Sequence, residues 1–230
     1  MKLLNSGNAK TRKGEKLGYI TYGMHLAPEK KSGYNVCPNA SEGCAAACLN
    51  TAGRGAMSNV QEARIKKTLF FFKERQNFLD QLWKEIESSI KSAGRKDMVP
   101  CFRLNLTSDL PFHRIKNNGE TVLEAFPDQQ FYDYTPDPDR FTSFLAGELP
   151  SNYHLTFSRK EDNEETCDAM FASGGSIAAV FRDSLPKLWK GRTVVDGDET
   201  DLRFKDPKNV VVGLVEKGLA KKDETGFVIG

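Results

Sequence analysis

The sequence predicts an α/β protein built as a partial or open (β/α) barrel of roughly six to seven mostly parallel strands. Three observations carry that expectation. Short β-forming segments alternate with helical stretches along most of the chain. Polar residues gather at the C-terminal ends of those segments, the end at which α/β architectures carry their sites. Within the segments, polar and apolar residues alternate, so each strand has one polar face. A parallel strand covered on both faces reads as almost wholly apolar. A polar face therefore means either an antiparallel sheet wet on one side, or a barrel-like sheet whose inner face is polar because it holds a ligand.

The elements follow in order. Residues 1–17 read as a basic arm, with Lys10, Arg12, Lys13 and Lys16 among Gly and Asn. Residues 18–26 are rich in β-formers and make a first strand, stopped by Pro28. Residues 28–57 form a loop that contains three cysteines. Ser58 then caps a helix running through Leu69 to Phe72, and Phe78, Leu79, Leu82, Trp83, Ile86 and Ile90 make the apolar stripe of a second helix. Gly94 is its expected stop. Further strands are expected near 99–106, 130–135, 153–158, 177–182, 193–196 and 210–215, with helices near 139–147 and 160–173. Residues 107–129 and 183–192 read as loops. The whole, 1–230, is expected to be one domain.

The polar positions define a candidate pocket. Arg103, Asn105 and Thr107 alternate with Phe102, Leu104 and Leu106. Asp133 and Thr135 share a face of their strand, as do His154, Thr156 and Ser158 of theirs. Asn105, Thr107, Ser108, Asp109, Asp133, Ser158, Arg159 and Asp196 are the expected cofactor-binding residues. Thr107-Ser108-Asp109 directly follows a strand and suits a polar group such as an amine or a ribose, or it is simply a turn.

Composition narrows the function. A net charge of +2 gives no field that favours nucleic acid, and no apolar run is long enough to span a membrane. The start lacks the apolar core of a signal peptide, so the expected location is a reducing cytoplasm. Five cysteines, an odd number, argue against a disulfide framework and for metal binding or catalysis. Neither a phosphate-binding G-x-x-x-x-G-K-[ST] loop nor a G-x-S-x-G elbow is present.

The cysteines carry most of the functional expectation. Cys37, Cys44 and Cys48 form a C-x6-C-x3-C pattern among Pro38, Gly43 and three alanines. Three thiolates can hold one metal centre and leave a position open, as catalysis requires. Small residues beside them let backbone amides approach sulfur, which suits an iron–sulfur cluster. A zinc ion would need a fourth ligand, for which Cys101, Cys167, His25, His113 and His154 are the candidates, none of them in a zinc-finger pair. Cys167, at helical spacing from Met170 and Phe171, reads as a core thiol. Cys101 shares parity with Arg103 and Asn105 and either looks into the lumen or is a small buried residue, and His25, near the cysteine loop, is either a structural histidine or a support to the cysteine ligands.

Taken together, the stretches Asn8-Ala9-Lys10-Thr11, Leu26-Ala27-Pro28, Cys37-Pro38-Asn39-Ala40-Ser41-Glu42-Gly43-Cys44 with Cys48, Arg103-Leu104-Asn105 with Thr107-Ser108-Asp109, Phe131-Tyr132-Asp133-Tyr134-Thr135, and Asp196-Gly197-Asp198 with Asp201-Leu202-Arg203-Phe204 resemble the bacteriophage gene-product-88-like family. That family implies no settled activity, and it places the protein in the cytoplasm of an infected bacterial host. More distantly, three cysteines after a first strand resemble radical S-adenosylmethionine enzymes. This likeness implies a [4Fe–4S] cluster on Cys37, Cys44 and Cys48, S-adenosylmethionine on its open iron, and an external electron donor. It also puts Thr107, Ser108 and Asp109 where that superfamily's Gly-Gly-Glu stretch meets the methionyl amine. Two departures stand out: the superfamily's spacing is C-x3-C-x2-C, and Gly-Gly-Glu is absent here. The sequence thus leaves three functions open. They are a radical-type enzyme on an unknown small substrate, a non-enzymatic iron–sulfur redox or host-interaction protein, and a zinc-stabilised binding module.

Overall fold

The computed structural model describes residues 1–7 and 11–230. In chain order the elements are β1 (Leu4–Asn5), β2 (Tyr19–Met24), α1 (Glu42–Ala46), α2 (Ser58–Lys73), α3 (Arg75–Gly94), β3 (Val99–Arg103), β4 (Lys116–Asn117), β5 (Glu120–Thr121), α4 (Val122–Ala125), β6 (Gln130–Thr135), α5 (Pro138–Leu145), β7 (Tyr153–Ser158), α6 (Glu164–Ala172), β8 (Ile177–Phe181), β9 (Leu188–Trp189), β10 (Arg192–Asp196), β11 (Val211–Val215) and β12 (Val228–Ile229). The main sheet has the order β1-β2-β3-β6-β7-β8-β11-β10-β9. From β2 to β10 every neighbouring pair along it is parallel. The α/β class and the mostly parallel sheet therefore hold, and the antiparallel alternative falls. The sheet does not close into a barrel: β1 and β9, both antiparallel to their neighbours, end it.

Strands β2, β3, β6, β7 and β8 lie side by side in chain order. Each crossover thus returns to the adjacent strand, and the connecting helices gather on one side. There α3 buries Phe78, Leu79, Leu82 and Ile86 at helical spacing. With Phe71, Phe141, Cys167 and Phe171 they pack onto Phe102, Phe131, Phe157 and Ile177 of the strands and onto Leu104 just after β3. The opposite side is covered by the 198–206 segment, whose Leu202 packs against Cys101 and Tyr132, flanked by Tyr19 and Phe204. Strand β8 is shared. Strand β7 pairs with it only as far as Ser158↔Ala178, and β12 takes over at Val180 and Phe181.

Several local expectations need correction. The N-terminal residues are not simply an arm. Leu3 and Leu4 are fully buried, their amides bound to the Glu85 carboxylate at 2.8–2.9 Å, and Thr11–Leu17 form a 3-10 helix. Lys10 lies outside the described residues. Ser58 is the first residue of α2 rather than its cap, which is Met57 without a side-chain bond. Gly94 is still helical, and the cap is Arg95. The expected helix at 160–173 starts only at Glu164, because the Asn163 side chain closes a turn by accepting from the Lys160 amide at 2.7 Å. The 107–129 stretch contains the β4–β5 hairpin, turned by Asn118 and Gly119 at φ 51° and 94°, and the capped turn α4.

Candidate metal centre

The cysteine segment lies between β2 and α2, beyond the C-terminal ends of the parallel strands. It is held from three directions, each by identifiable chemistry. Helix α1 begins at Ser41, whose hydroxyl accepts from the Cys44 amide at 3.2 Å and donates to Glu161 Oε2 at 2.7 Å. The other Glu161 oxygen accepts from the Gly43 amide at 2.7 Å. A carboxylate at a helix start satisfies amides that have no partner inside the helix. Position 43 must be glycine for this: a Cβ there would stand 2.8 Å from the Glu161 carboxyl group.

The second anchor is α2. Gln61, Arg64 and Thr68 recur at helical spacing, so they share one face and aim at the cysteine segment. Thr68 accepts from the Ala27 amide at 2.9 Å. Gln61 exchanges 2.8 Å hydrogen bonds with the Asn50 side chain and backbone and also donates to the Gly55 carbonyl, and Arg64 donates to Asn50 Oδ1. These bonds fix Asn50, two residues beyond Cys48.

The third anchor is the turn after β3. Asp109 donates its amide to the Val36 carbonyl at 2.8 Å, and Thr107 Oγ1 donates to the Leu26 carbonyl at 2.7 Å. Cys37 Sγ accepts from the Glu29 amide at 3.5 Å. Amide-to-sulfur bonds of this kind stabilise a thiolate.

Cys37, Cys44 and Cys48 line one cavity of ≈ 230 Å³, opposite Arg103, Tyr134, Ser158 and Arg159. The cavity sits over the fork where β7 leaves β8, and Ala178, Val180 and Phe227 contribute apolar wall. All three cysteines are free thiols. Burial, with a smaller contribution from each other's charge, pushes Cys37 and Cys44 up to about 12. Burial also raises Cys48. Three thiolates cannot share this space as bare charges, so ionisation needs a cation among them. Among the described residues no three His, Cys, Asp or Glu side chains converge tightly enough to share one metal ion. Thiolates of a cubane cluster bind different irons and stand further apart than ligands of a single ion.

A model of the gene product 88 family matches residues 2–230. The chain belongs to this family. No curated protein and no solved structure matches it. The likeness to radical S-adenosylmethionine proteins gains nothing from these comparisons.

In this member of the gene product 88 family the expected site residues divide into three groups. Cys37, Cys44, Cys48, Asn105, Thr107, Ser108, Asp109, Ser158 and Arg159 all line the cavity. Most of the polar ones, however, are committed to the protein itself. Asn105 Oδ1 accepts from the Ser108 hydroxyl at 2.8 Å and the Leu110 amide at 2.9 Å, and its Nδ2 donates to the Leu110 carbonyl at 3.0 Å. Asp109 is paired with Arg140 at 2.8 Å. Arg159 binds Glu164 at 3.1 Å and the Phe227 carbonyl at 2.8 Å, tying β12 to the fork.

Asp133 and Asp196 lie outside the cavity lining. Strand register explains Asp133: it pairs with Leu155 and Thr135 with Phe157, which places both on the helix side, whereas Thr156 pairs with Tyr134 on the cavity side. There Asp133 accepts from the Asn105 amide at 2.9 Å, and burial pushes its carboxyl up to about 7. Asp196 is exposed and accepts from the Asp198 amide at 2.7 Å. Its neighbour Asp198 lines the cavity, paired with Lys217 at 2.5 Å.

Three contributors were not singled out from sequence: Glu161, Gln61 and Arg64. The last two had a readable signal, a polar stripe at helical spacing on a helix that must bury one face. Glu161 had none, because its partner Gly43 is 118 residues away.

Proposed function

We propose that this is an iron–sulfur protein in which Cys37, Cys44 and Cys48 hold a [4Fe–4S] cluster at the mouth of the cavity, with one iron left for a small molecule. The carrying observation is the convergence of three free thiols on one cavity at the C-terminal end of a parallel sheet. The donor set fits: soft sulfur ligands, an amide aimed at the Cys37 sulfur, and surroundings dry enough to disfavour bare thiolates. When bound, such a cluster supplies one-electron chemistry. The protein's own residues would shape what reaches it: Arg103, Tyr134 and Ser158 on the far wall, and apolar Leu106, Val180, Leu214 and Phe227 around them.

In the finer reading the small molecule is S-adenosylmethionine, an external donor provides the electron, and the open sheet is a partial barrel of the radical S-adenosylmethionine type. The setting is the cytoplasm of an infected bacterium. Among the described residues no helix is long and apolar enough to cross a membrane. A second reading, a redox or host-interaction cluster protein without S-adenosylmethionine, draws on the hydrogen bonds at Asn105, Ser108 and Asp109, which leave that turn few free groups for a ligand.

Anaerobic purification with iron and sulfide analysis tests the proposal. About four irons and four sulfides per chain are expected, with a broad absorption near ~400 nm that Cys44→Ala abolishes. Zinc in place of iron, or no metal, overturns it. Calorimetry with S-adenosylmethionine on the loaded protein then separates the two readings, since only the first expects binding.

A further inference from the structure

Four arginines are buried among the described residues: Arg64, Arg103, Arg140 and Arg203. A guanidinium in a protein interior is strongly unfavourable unless an opposite charge accompanies it. Three have carboxylates. Arg103 meets Asp201 at 2.9 Å, Arg140 meets Asp109 at 2.8 Å, and Arg203 meets Asp206 at 3.1 Å.

Arg64 differs. Its guanidinium donates to Asn50 Oδ1, a neutral acceptor, whereas an unpartnered buried Nε is common to all four arginines. Among the described residues no carboxylate forms an ion pair with it, and the group whose negative charge favours its charged form is Cys48. Asn50, two residues beyond Cys48, receives Arg64 on its side chain, which places the guanidinium beside the end of the cysteine segment. The carboxylates of this region are engaged elsewhere: Glu85 acts on Lys67 and binds the Leu3 and Leu4 amides, and Glu161 binds Ser41 and Gly43. His25 stays neutral, held down to about 3 by burial and then by Arg64, Lys67 and Arg103. Of the three cations that act on His25, only Arg103 has a carboxylate ion pair among the described residues.

We infer that Arg64 is the fixed counter-ion of an anionic centre held by Cys48, placed to favour that centre's reduced state. This rests on the cluster reading above. A [4Fe–4S] core of charge 2+ bound by three thiolates has a net charge of −1, and uptake of one electron from a donor makes it −2. A buried cation stabilises the second state more than the first, and net charge around a cluster is one of the levers that set its potential. Arg64 is therefore a positioning and charge-compensating residue, with no contact to substrate implied.

The test uses anaerobically loaded full-length protein, titrated by dithionite and followed by absorption and electron paramagnetic resonance. Arg64→Gln keeps a hydrogen-bonding side chain but removes the charge. Its midpoint should fall, so that at a fixed potential the reduced-to-oxidised ratio drops about tenfold, equal to about 59 mV for a one-electron couple. Arg64→Lys should stay near the wild type. A Gln variant at the wild-type midpoint overturns the inference and leaves the cluster reading intact, whereas wild-type protein without iron overturns the cluster reading itself. If the Gln variant does not retain iron, the Lys variant decides. Iron retained with Lys supports a requirement for charge, and iron lost from both shows that only the arginine's shape mattered, which also overturns the inference.

Discussion

On the helix side of the sheet Phe102 and Phe131 stack with ring centres 5.3 Å apart, and Phe141 meets Phe157 at the same distance. On the other side of the same strands the contacts are polar. Thr21 Oγ1 lies 3.1 Å from the Tyr132 hydroxyl and 3.2 Å from Cys101 Sγ, Tyr132 donates to Asp201 at 3.2 Å, and Asp201 pairs with Arg103. The apolar side depends on area and shape. The polar side depends on every donor finding an acceptor, because an unpaired group there costs more than a lost contact. Moving along the polar side toward the strand ends, the network stops at Arg103 and Tyr134 and the cavity begins. The 198–206 segment therefore works as a floor, closing the part of this face that the cysteines do not reach.

The largest effect belongs to the apolar side. Phe157→Ala should cost about 3–5 kcal/mol in urea unfolding, since the ring is fully buried between α5 and the sheet. A loss under about 1 kcal/mol would mean the helix layer repacks freely. Asp201→Ala should cost toward the low end of roughly 3–5 kcal/mol, because it strands the Arg103 charge beside a cavity that water can enter. Replacing both Arg103 and Asp201 by Leu should recover part of that loss. A double variant as unstable as the sum of the singles would remove the ion pair as the cause.

The smallest effect is one of pH. Burial, with Arg203 nearby, holds His154 down to about 4, and burial holds His25 at about 3 and His113 at about 4. Unfolded histidine titrates near ~6.5. The unfolded chain thus binds more protons between about 6.5 and 4, and the stability from these groups, complete above that window, is lost as pH falls through it. Burial raises Asp109 to about 6 and Asp133 to about 7, which acts oppositely: the folded state holds their protons longer, and stability declines as pH rises. Three histidines outweigh two carboxyls, so unfolding should need less urea at pH 5 than at pH 8. His154→Gln should narrow that gap. An unchanged gap would show that this imidazole is already protonated in the folded protein.

Longer strands were legible because their alternation is a physical consequence of the pleat. The segments at 130–135 and 153–158 coincide with β6 and β7. The two-residue strands β1, β9 and β12 were not, since two residues have no period to read. The β4–β5 hairpin is a different case. Its Asn118-Gly119 turn is a strong local signal that reading 107–129 as a loop passed over. At the site, the cysteine spacing pointed to one locality, and the three side chains do share a cavity. Asp133 shows the limit of alternation: parity within a strand says which residues are together, while only pairing with the next strand says which side they face. Glu161 acts on the cysteine segment from 118 residues away, so nothing local marks it.

Strands β1 and β9 have a consequence for life in a crowded solution. Each is two residues long and runs antiparallel to the strand it covers, and together they close both ends of the row. A long parallel strand left bare at either margin would offer a ladder of unpaired amides and carbonyls on which a second chain could extend the sheet. Here Leu4–Asn5 pairs with Gly23 and Met24, and Leu188–Trp189 with Arg192 and Thr193, so each takes up part of its ladder. These two short pieces are a built-in defence against edge-to-edge aggregation.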